Sequence, residues 1–286
     1  MIRLGEVQTL IIVKEVAFGV YVAPEQLVHD AEALRDNKVL LPAKYVPEGK
    51  KIGDAVEVFV YKDSKDRLVA TTLSPKLTMG QVARLRVAQV GKIGAFLDWG
   101  LEKDLLLPYK QQKRRVSEGE EVLVSLYIDK SERLCATMNV YHELTCDSPY
   151  QKDDRVTGTV YEISPNFGAF VAVDDKYSGL IAKKELYGNI QIGDVISARV
   201  LRVKEDGKLD LSVREKAYLQ ISTDAEEVMS LIDRFGGALP FNDKASPEVI
   251  KRETGMSKNE FKRAVGNLLK NNRIKITEKG ILKISE

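Results

Sequence analysis

The stretch that decides the fold runs from Gly158 to Val173 and reads GTVYEISPNFGAFVAV. Apolar residues form two short runs, and Ser164-Pro165-Asn166 between them are residues typical of turns. The stretch therefore predicts two strands joined by a turn. Gly168 falls inside the second strand pattern, where a glycine usually marks a bend or bulge that lets a strand curl into a barrel.

The same pattern occurs two more times upstream, centred on Gly19 and Gly94, so that the copies are about 75 residues apart. Each copy continues with a Gly-Asp or Gly-Glu step and a closing apolar run. These closing runs are Leu68-Val69-Ala70-Thr71, Leu134-Cys135-Ala136-Thr137 and Leu209-Asp210-Leu211-Ser212. Self-similarity at a constant period indicates three copies of one small β unit.

Each copy contains short apolar runs separated by Gly, Asp, Asn and Lys, a spacing that suits the strands of a small closed barrel. We predict five-stranded barrels over residues 1–73, 78–141 and 152–216. The first copy is longer than the others because of a polar insertion within residues 24–37, which loop-closure entropy tolerates at little cost. The connectors between barrels are short, so a strand held by one barrel is presented to the next at high effective concentration.

Residues 221–286 are predicted to form a different, α+β domain, which makes the fold class mainly β with a C-terminal α+β domain. Apolar residues recur there at helical spacing in three segments. The predicted boundaries are Thr223 or Asp224 and Gly236-Gly237 for the first helix, Ser246 and Gly255 for the second, and Ser257 for the start of the third. The third helix is predicted to place Phe261, Val265, Leu268 and Leu269 on one apolar face.

The last alternating segment turns at Glu278-Lys279-Gly280 and predicts a hairpin. Three helices followed by a hairpin resemble a winged helix.

The composition is that of an ordinary soluble protein, with 44% hydrophobic and 30% charged residues among 286. No segment approaches the ~20 apolar residues that span a bilayer, so we expect a cytoplasmic protein that does not contact membranes. Two cysteines and two histidines without a Cys-x-x-Cys pair predict neither a metal site nor a disulfide, and we expect no cofactor. Charge is balanced over residues 1–220, whereas residues 257–275 are strongly basic.

The third copy resembles the S1 RNA-binding domain, which is an oligonucleotide-binding (OB) barrel. The resemblance rests on the following residues: Gly158-Thr159-Val160, Phe167-Gly168-Ala169-Phe170-Val171, Gly179-Leu180-Ile181, Ile192-Gly193-Asp194-Val195 and Leu209-Asp210-Leu211-Ser212. It implies that single-stranded RNA is the partner, because bases stack on aromatic rings of such barrels and nearby cations meet the phosphates.

The positions that match the S1 aromatic pair are Phe18 and Tyr21, then Ile93 and Phe96, then Phe167 and Phe170. Trp99 lies close to the second pair and is a further candidate for stacking. Packing in the core is the alternative role of these rings. The S1 family often has a histidine in the next strand, and this chain has Leu41, Leu107 and Ala182 at the positions that we match to it.

Lysines follow these positions and could meet phosphates: Lys44, Lys110, Lys183 and Lys184. The second copy adds Lys113, Arg114 and Arg115, the densest short basic run in the chain. The alternative is that these charges only keep the surface soluble.

The predicted winged helix has its own candidate contacts with nucleic acid or a protein partner. They are Lys258, Lys262, Arg263, Lys270 and Arg273. A basic helix of this kind can enter a DNA major groove or lie along RNA phosphates, and winged helices also serve as protein-docking modules.

The order of the parts, together with residues 243–250 and 256–266 in the tail, resembles the bacterial conserved virulence factor B family. That resemblance implies an RNA-binding regulator of gene expression, which acts on virulence-associated transcripts in pathogens. A DNA-binding transcriptional regulator that acts through the winged helix is the alternative. A ribonuclease is a third hypothesis, but the chain has no phosphate-binding loop, zinc-protease helix or serine elbow, and we predict no catalytic residues.

Overall fold

The parts of the chain that the computed structural model describes are residues 1–63, 65–186, 189–213, 217–278 and 280–284, with only the helical backbone for residues 217–223. The chain divides into two compact units, residues 1–213 and residues 214–286. Within the described residues, none of the helices combines the length and the apolar character needed to cross a lipid bilayer.

The first barrel has five strands. They are β1 (Val7–Val16), β2 (Gly19–Ala23), β3 (Val39–Pro42), β4 (Ala55–Lys62) and β5 (Leu68–Thr71). Their order around the barrel is β1-β2-β3-β5-β4, and β4 pairs again with β1 to close it. Only the β3–β5 pair is parallel. The predicted insertion contains a one-turn helix, α1 (Ala33–Asp36).

The second and third units repeat this topology. The second has β6 (Val82–Val90), β7 (Gly94–Asp98), β8 (Leu105–Pro108), β9 (Glu121–Ile128) and β10 (Leu134–Thr137). Its hydrogen-bonded order is β10-β9-β6-β7-β8, and the two outer strands, β8 and β10, lie side by side. The third has β11 (Arg155–Ser164), β12 (Gly168–Val173), β13 (Tyr177–Ala182), β14 (Val195–Val203) and β15 (Leu209–Ser212), and it closes completely. The prediction of three five-stranded barrels is confirmed.

The central glycine of each repeat is required by the close approach of two strands. Gly168 begins β12 with φ +117°, and a Cβ atom built there would lie 2.1 Å from the carbonyl oxygen of Ile181 on β13. Gly19 and Gly94 meet the same obstacle in the other two barrels. No other residue type fits, because a side chain would push the two strands apart.

The first strand of each barrel carries one bulge, which interrupts its ladder with the second strand. In β11 the register shifts between Val160 and Glu162, so that Tyr161 is the extra residue. A bulge re-aims the side chain of its residue. Tyr161 is buried in a cluster with Leu123 of the second barrel and with Val140 and Leu144, which follow the last strand of that barrel, and it therefore helps to join the second barrel to the third.

The junction between the first two barrels is built differently. Phe59 of β4 packs against the edge of Trp99, with 5.6 Å between ring centroids. Arg133, in the turn between β9 and β10, forms an ion pair with Asp66 in the turn between β4 and β5. Each junction thus combines apolar packing with ion pairs, and the three barrels belong to one compact unit.

The C-terminal unit contains three helices and a small sheet. The helices are α2 (Ala217–Arg234), α3 (Pro247–Thr254) and α4 (Lys258–Lys270), and the strands are β16 (Ala238–Leu239), β17 (Ile274–Thr277) and β18 (Gly280–Lys283). The sheet order is β16-β18-β17, and β17 and β18 form the predicted hairpin. Its turn residue Lys279 lies outside the described residues.

The helix boundaries follow the predicted caps except at one end. Ser246 caps α3, Gly255 ends it in a left-handed conformation, and Ser257 forms a capping box with Glu260 at the start of α4. The N-cap predicted at Thr223 or Asp224 is wrong, because α2 is already helical from Ala217 onward.

The predicted apolar face of α4 contains one error. Phe261, Val265 and Leu268 are buried, as predicted, but Leu269 is 45% exposed because it lies one residue past the stripe that faces the core.

The strand registers also correct the alignment of the third copy by one residue. Leu41 and Leu107 pair with Val20 and Ala95, and the equivalent partner of Ala169 is Ile181, not Ala182. All three of these apolar residues are fully buried, which explains why the position is not polar. Ala182 instead corresponds to Pro42 and Pro108.

Candidate nucleic-acid interface

Each barrel presents the same pair of positions beside its central glycine. Phe18, Ile93 and Phe167 immediately precede the second strand and are 59%, 61% and 64% exposed. Tyr21, Phe96 and Phe170 lie three residues later and are half-buried. The first residue of each pair belongs to the turn before the strand, so the two side chains do not follow strict strand alternation.

A short 3-10 turn follows the third strand of every barrel and carries lysine at its middle position. The turns are Ala43–Tyr45, Tyr109–Gln111 and Lys183–Glu185, with exposed lysines at Lys44, Lys110 and Lys184. Lys183 is exposed at the start of the third turn. Lys44 is already paired with Glu102, whose hydrogen bond raises the lysine pKa above its ordinary value.

Trp99 is buried, and the prediction that it stacks on RNA is wrong. Its side chain is 3% exposed, its indole N–H donates to the Lys103 carbonyl oxygen at 2.6 Å, and its ring packs against Phe59. The spacing from Phe96 suggested a surface ring, but Trp99 lies just past the end of β7, where it fills the junction between the first two barrels.

The basic run of the second barrel serves more than one purpose. Arg114 is paired with Glu120 and donates to the Ile192 carbonyl oxygen of the third barrel at 2.6 Å. That pairing lowers the pKa of the Glu120 carboxyl. This guanidinium is engaged at the junction between barrels but is still 30% exposed, so the phosphate contact predicted for Arg114 stays a prediction.

Its neighbours stay at the surface. Lys113 pairs with Glu162 at 2.8 Å, and Arg115 lies exposed with its guanidinium 4.1 Å from the centroid of the Tyr109 ring.

A groove with a volume of about 650 Å³ lies on the face of the third barrel. We call it the barrel-3 groove. Its aromatic lining residues are Tyr141, His142, Tyr161, Phe167 and Phe170. Tyr141 and His142 come from the 3-10 turn Tyr141–Glu143 in the connector after the second barrel, so two segments of the chain build this groove.

The rings of the barrel-3 groove form one connected cluster centred on Phe170. The Phe170 ring centroid lies 6.5 Å from that of Phe167, 6.4 Å from that of Tyr141 and 6.1 Å from that of Tyr161. Tyr141 meets Phe170 edge-on, with 89° between the ring planes. Burial raises the pKa of the Tyr161 phenol well above its ordinary value, so this side chain stays neutral.

Charged residues at the rim of the barrel-3 groove are paired. Lys208 binds Asp206 at 2.8 Å, which raises the pKa of the lysine and lowers that of the carboxyl, and Lys204 binds Asp210 at 3.1 Å. The Lys208 Nζ also lies 5.9 Å from the centroid of the Tyr141 ring. The groove is therefore aromatic and nearly neutral, with two cations at its rim.

The corresponding groove on the second barrel has a volume of about 200 Å³, and we call it the barrel-2 groove. It is lined by Ile93 and Phe96, and also by Tyr61 of the first barrel and by Arg133. Cys135 lines it as well and is not in a disulfide. Among the residues that the structure describes, no group of three or more His, Cys, Asp or Glu side chains is arranged to hold a metal ion.

The candidate residues of the winged helix fall into two groups. Lys262, Arg263 and Lys270 are exposed on α4, opposite its buried face, and Lys258 is half-buried at its start. Arg273 forms a bidentate ion pair with Glu226 of α2, and that pairing raises its pKa. Its guanidinium joins the start of β17 to α2 and is 41% exposed, so the predicted external contact of Arg273 stays a prediction.

Sequence reasoning missed the connector side of the barrel-3 groove. Tyr141 was the last residue of the predicted second barrel, and His142 was the first residue of what we interpreted as a short connector. The adjacent pair of rings in a polar connector was the available signal. Tyr161, Lys204 and Lys208 were missed because only the folded barrel brings the bulge and the β14–β15 turn to one face.

Known protein families match four stretches of the chain. Residues 4–73 and 79–139 match the S1 domain family. Residues 144–215 match the second domain of the virulence regulatory factor CvfB, and residues 226–282 match the CvfB-like winged helix domain.

Similar proteins are found in several bacteria. The chain is 31% identical to "Uncharacterized protein YitL" of Bacillus subtilis, covering 95% of this chain and 91% of the relative. It is 29% identical to "Conserved virulence factor B" of Staphylococcus saprophyticus, covering 80% and 82%.

A solved structure also resembles the whole chain. It is a multidomain protein with nucleic acid binding domains from Streptococcus pneumoniae, with 26% identity, 98% of each chain covered and a TM-score of 0.49. On the two CvfB domain matches and the full-length and virulence-factor relatives, the chain belongs to the conserved virulence factor B family.

Proposed function

We propose that this protein is a non-catalytic regulator that binds single-stranded RNA through the faces of its three barrels. The observation that carries the proposal is the repeated surface: an exposed residue and a half-buried ring beside the central glycine, followed by a turn with an exposed lysine. Stacking on rings with cations nearby is how OB barrels bind unpaired strands.

Family membership supports a regulatory role. The staphylococcal relatives bear the name conserved virulence factor B, and the domain that matches the third barrel is named for a virulence regulatory factor. We propose that the RNA is a transcript whose expression the protein controls, with virulence-associated transcripts as its targets in pathogens.

The test is fluorescence anisotropy with the full chain and labelled homopolymeric RNAs, single-stranded DNA of matched length and duplex DNA, each at two salt concentrations. We expect single-stranded RNA to bind most tightly. The double variant Phe167→Ala with Phe170→Ala should weaken binding, because stacking contributes ~1–3 kcal/mol per base. Preferred binding of duplex DNA, or no effect of the double variant, would contradict the proposal.

The exposed basic face of α4 favours a second candidate, contact with duplex DNA through the winged helix. Here Lys262→Ala with Arg263→Ala should abolish duplex binding and leave RNA binding by the barrels intact. If this variant instead removes RNA affinity while the Phe167 and Phe170 variants do not, the interface belongs to α4.

The non-catalytic part of the proposal has its own measurement. Labelled RNA incubated with the protein and added magnesium or manganese should remain intact on a denaturing gel. Cleavage that copurifies with the protein would show a ribonuclease instead.

A further inference from the structure

We propose that the connector turn Tyr141–Glu143 forms one wall of a nucleobase pocket, so that the barrel-3 groove is a composite site built by the third barrel and the connector before it. The inference deepens the proposed function and rests on it. It assigns Tyr141 and His142 a direct contact with RNA, a role that the barrel alone would not supply.

The rings at this site stand at right angles to one another. Tyr141 stands at 89° to Phe170 with centroids 6.4 Å apart, and His142 meets Tyr141 at 5.3 Å, also edge-on. A base that lies flat on Phe170 therefore meets Tyr141 at a right angle, which is the edge-to-face arrangement that aromatic pairs prefer. The connector turns a flat stacking platform into a corner that holds a base on two sides.

The corner formed by these rings is accessible to solvent. Tyr141 is 42% exposed and Phe167 64% exposed, while the Tyr161 ring beneath them is 3% exposed. Exposed rings over a buried ring form a surface that is ordered but not covered within the described residues. Its volume of about 650 Å³ lies within the ~300–1,000 Å³ range of small-molecule sites and is large enough for a nucleotide.

The charged side chains at the rim favour stacking over phosphate contacts. Lys208 and Lys204 lie at the rim, where a phosphate next to the stacked base would pass, but both are paired with carboxylates. A phosphate must therefore compete with Asp206 and Asp210 for these lysines. The affinity gained by releasing counterions from the RNA is then small. Stacking, which does not depend on salt, should account for most of the affinity that the connector contributes.

The experiment compares the full chain with the double variant Tyr141→Ala, His142→Ala in anisotropy titrations with labelled single-stranded RNA at two salt concentrations. The matched control is Phe235→Ala with His29→Ala. It removes a tail ring that is 45% exposed and the other histidine of the chain, both outside the groove. Tyr141→Phe serves as the conservative variant, because it keeps the ring.

We expect the Tyr141/His142 variant to lose affinity by about 5- to 100-fold, by the same factor at both salt concentrations. The control and Tyr141→Phe should stay within about 2-fold of the wild type. Photocrosslinking of thiouridine-containing RNA should label the peptides that carry Tyr141 and Phe167, which provides a readout independent of the variants.

The outcomes separate the two proposals. If the wild type binds RNA and the Tyr141/His142 variant binds equally well, the composite pocket is refuted and RNA binding by the barrels stands. The pocket is also refuted if the loss disappears at high salt, or if crosslinks fall only on the first two barrels. If the wild type binds no single-stranded RNA, both proposals fail.

Discussion

The second and third barrels share a topology and a surface pattern, yet their binding faces differ. In the barrel-3 groove the rings of Phe167 and Phe170 meet an aromatic connector, whereas in the barrel-2 groove Ile93 and Phe96 meet residues of the first barrel. The grooves measure about 650 Å³ and 200 Å³. The segment packed beside a barrel thus determines how much of the barrel's binding face is accessible.

The turn between the last two strands shows the same contrast. Arg133 of the second barrel and Lys208 of the third occupy equivalent positions, since each lies at the end of a turn closed by the same backbone hydrogen bond. Arg133 reaches across to Asp66 of the first barrel, while Lys208 stays with its own turn beside Tyr141. The cation at this position therefore joins two barrels in one case and lies at the rim of a groove in the other.

The largest expected effect concerns the ring that joins the first two barrels. Trp99→Ala should lower the free energy of unfolding by about 3–5 kcal/mol, because it removes a buried aromatic side chain and leaves a cavity beside Phe59. Chemical denaturation measures the change. Phe18→Ala, at a 59% exposed position, is the control and should change stability little. A loss below about 1 kcal/mol for Trp99→Ala would contradict a structural role.

The next largest effect is a difference in how much RNA affinity is lost when each groove loses its half-buried ring. Phe170→Ala should weaken single-stranded RNA binding by about 1–3 kcal/mol, and Phe96→Ala should weaken it less, because the barrel-2 groove offers less space for a base. Anisotropy titrations with melting curves of both variants distinguish lost contacts from lost folding. Equal losses of affinity would remove the functional difference between the grooves.

The third effect separates a structural cation from a binding cation within one basic run. Arg114→Ala should cost about 1–2 kcal/mol of stability, discounted for its partial exposure, because Glu120 and the Ile192 carbonyl lose their partner. It should leave the salt dependence of RNA binding unchanged. Lys110→Ala should do the opposite and lower the slope of log K against log salt by about one, as expected for one lost phosphate contact.

The measurements are denaturation for stability and titrations at several salt concentrations for the slope. A lower slope for Arg114→Ala with unchanged stability would return this arginine to the binding surface.

The smallest effect tests how closed the barrel-2 groove is. Burial raises the pKa of the Cys135 thiol to about 11, with Asp129 contributing in the same direction. In a Cys146→Ser background, alkylation of Cys135 should therefore be slow at pH 8 and should accelerate as the pH approaches 11, since the thiolate is the reactive form. Mass spectrometry follows the labelling.

The matched probe of the open groove is Tyr141→Cys in a background without either native cysteine, and it should react much faster at pH 8. Rapid labelling of Cys135 under the same conditions would show that the barrel-2 groove is open.

The raised pKa also has a consequence for stability. The folded protein holds the Cys135 proton more tightly than the unfolded chain, so this thiol favours folding below its unfolded pKa of about 9, and the contribution is lost as the pH rises toward 11. Cys135→Ser removes this dependence and serves as the control.

Much of the fold could be predicted because it depends on short-range patterns. The repeats around Gly19, Gly94 and Gly168 predicted three barrels, since alternation and a central glycine are local requirements of a curled strand. Ser246, Gly255 and Ser257 located helix ends because caps are local as well. The start of the first helix in the tail was predicted too late in the sequence. The helical spacing of apolar residues that we used begins at Ala225, after the helix has already started at Ala217.

The candidate site was harder to predict. The surface pairs beside each glycine are exposed or half-buried as a binding role requires, but Trp99, Arg114 and Arg273 are used for internal contacts. An aromatic or basic residue near a binding motif looks the same in sequence whether its partner is solvent or a neighbouring barrel. Only the positions of distant segments distinguish the two.

The sequence by itself determined the family, the three barrels, the winged helix and the rings beside each central glycine, because all of these depend on neighbours within one repeat. The tertiary structure alone decided which face is open. Burial and pairing at a junction arise from residues of different repeats, such as Phe59 against Trp99 or Tyr141 against Phe170, and no pattern within a single repeat encodes those contacts.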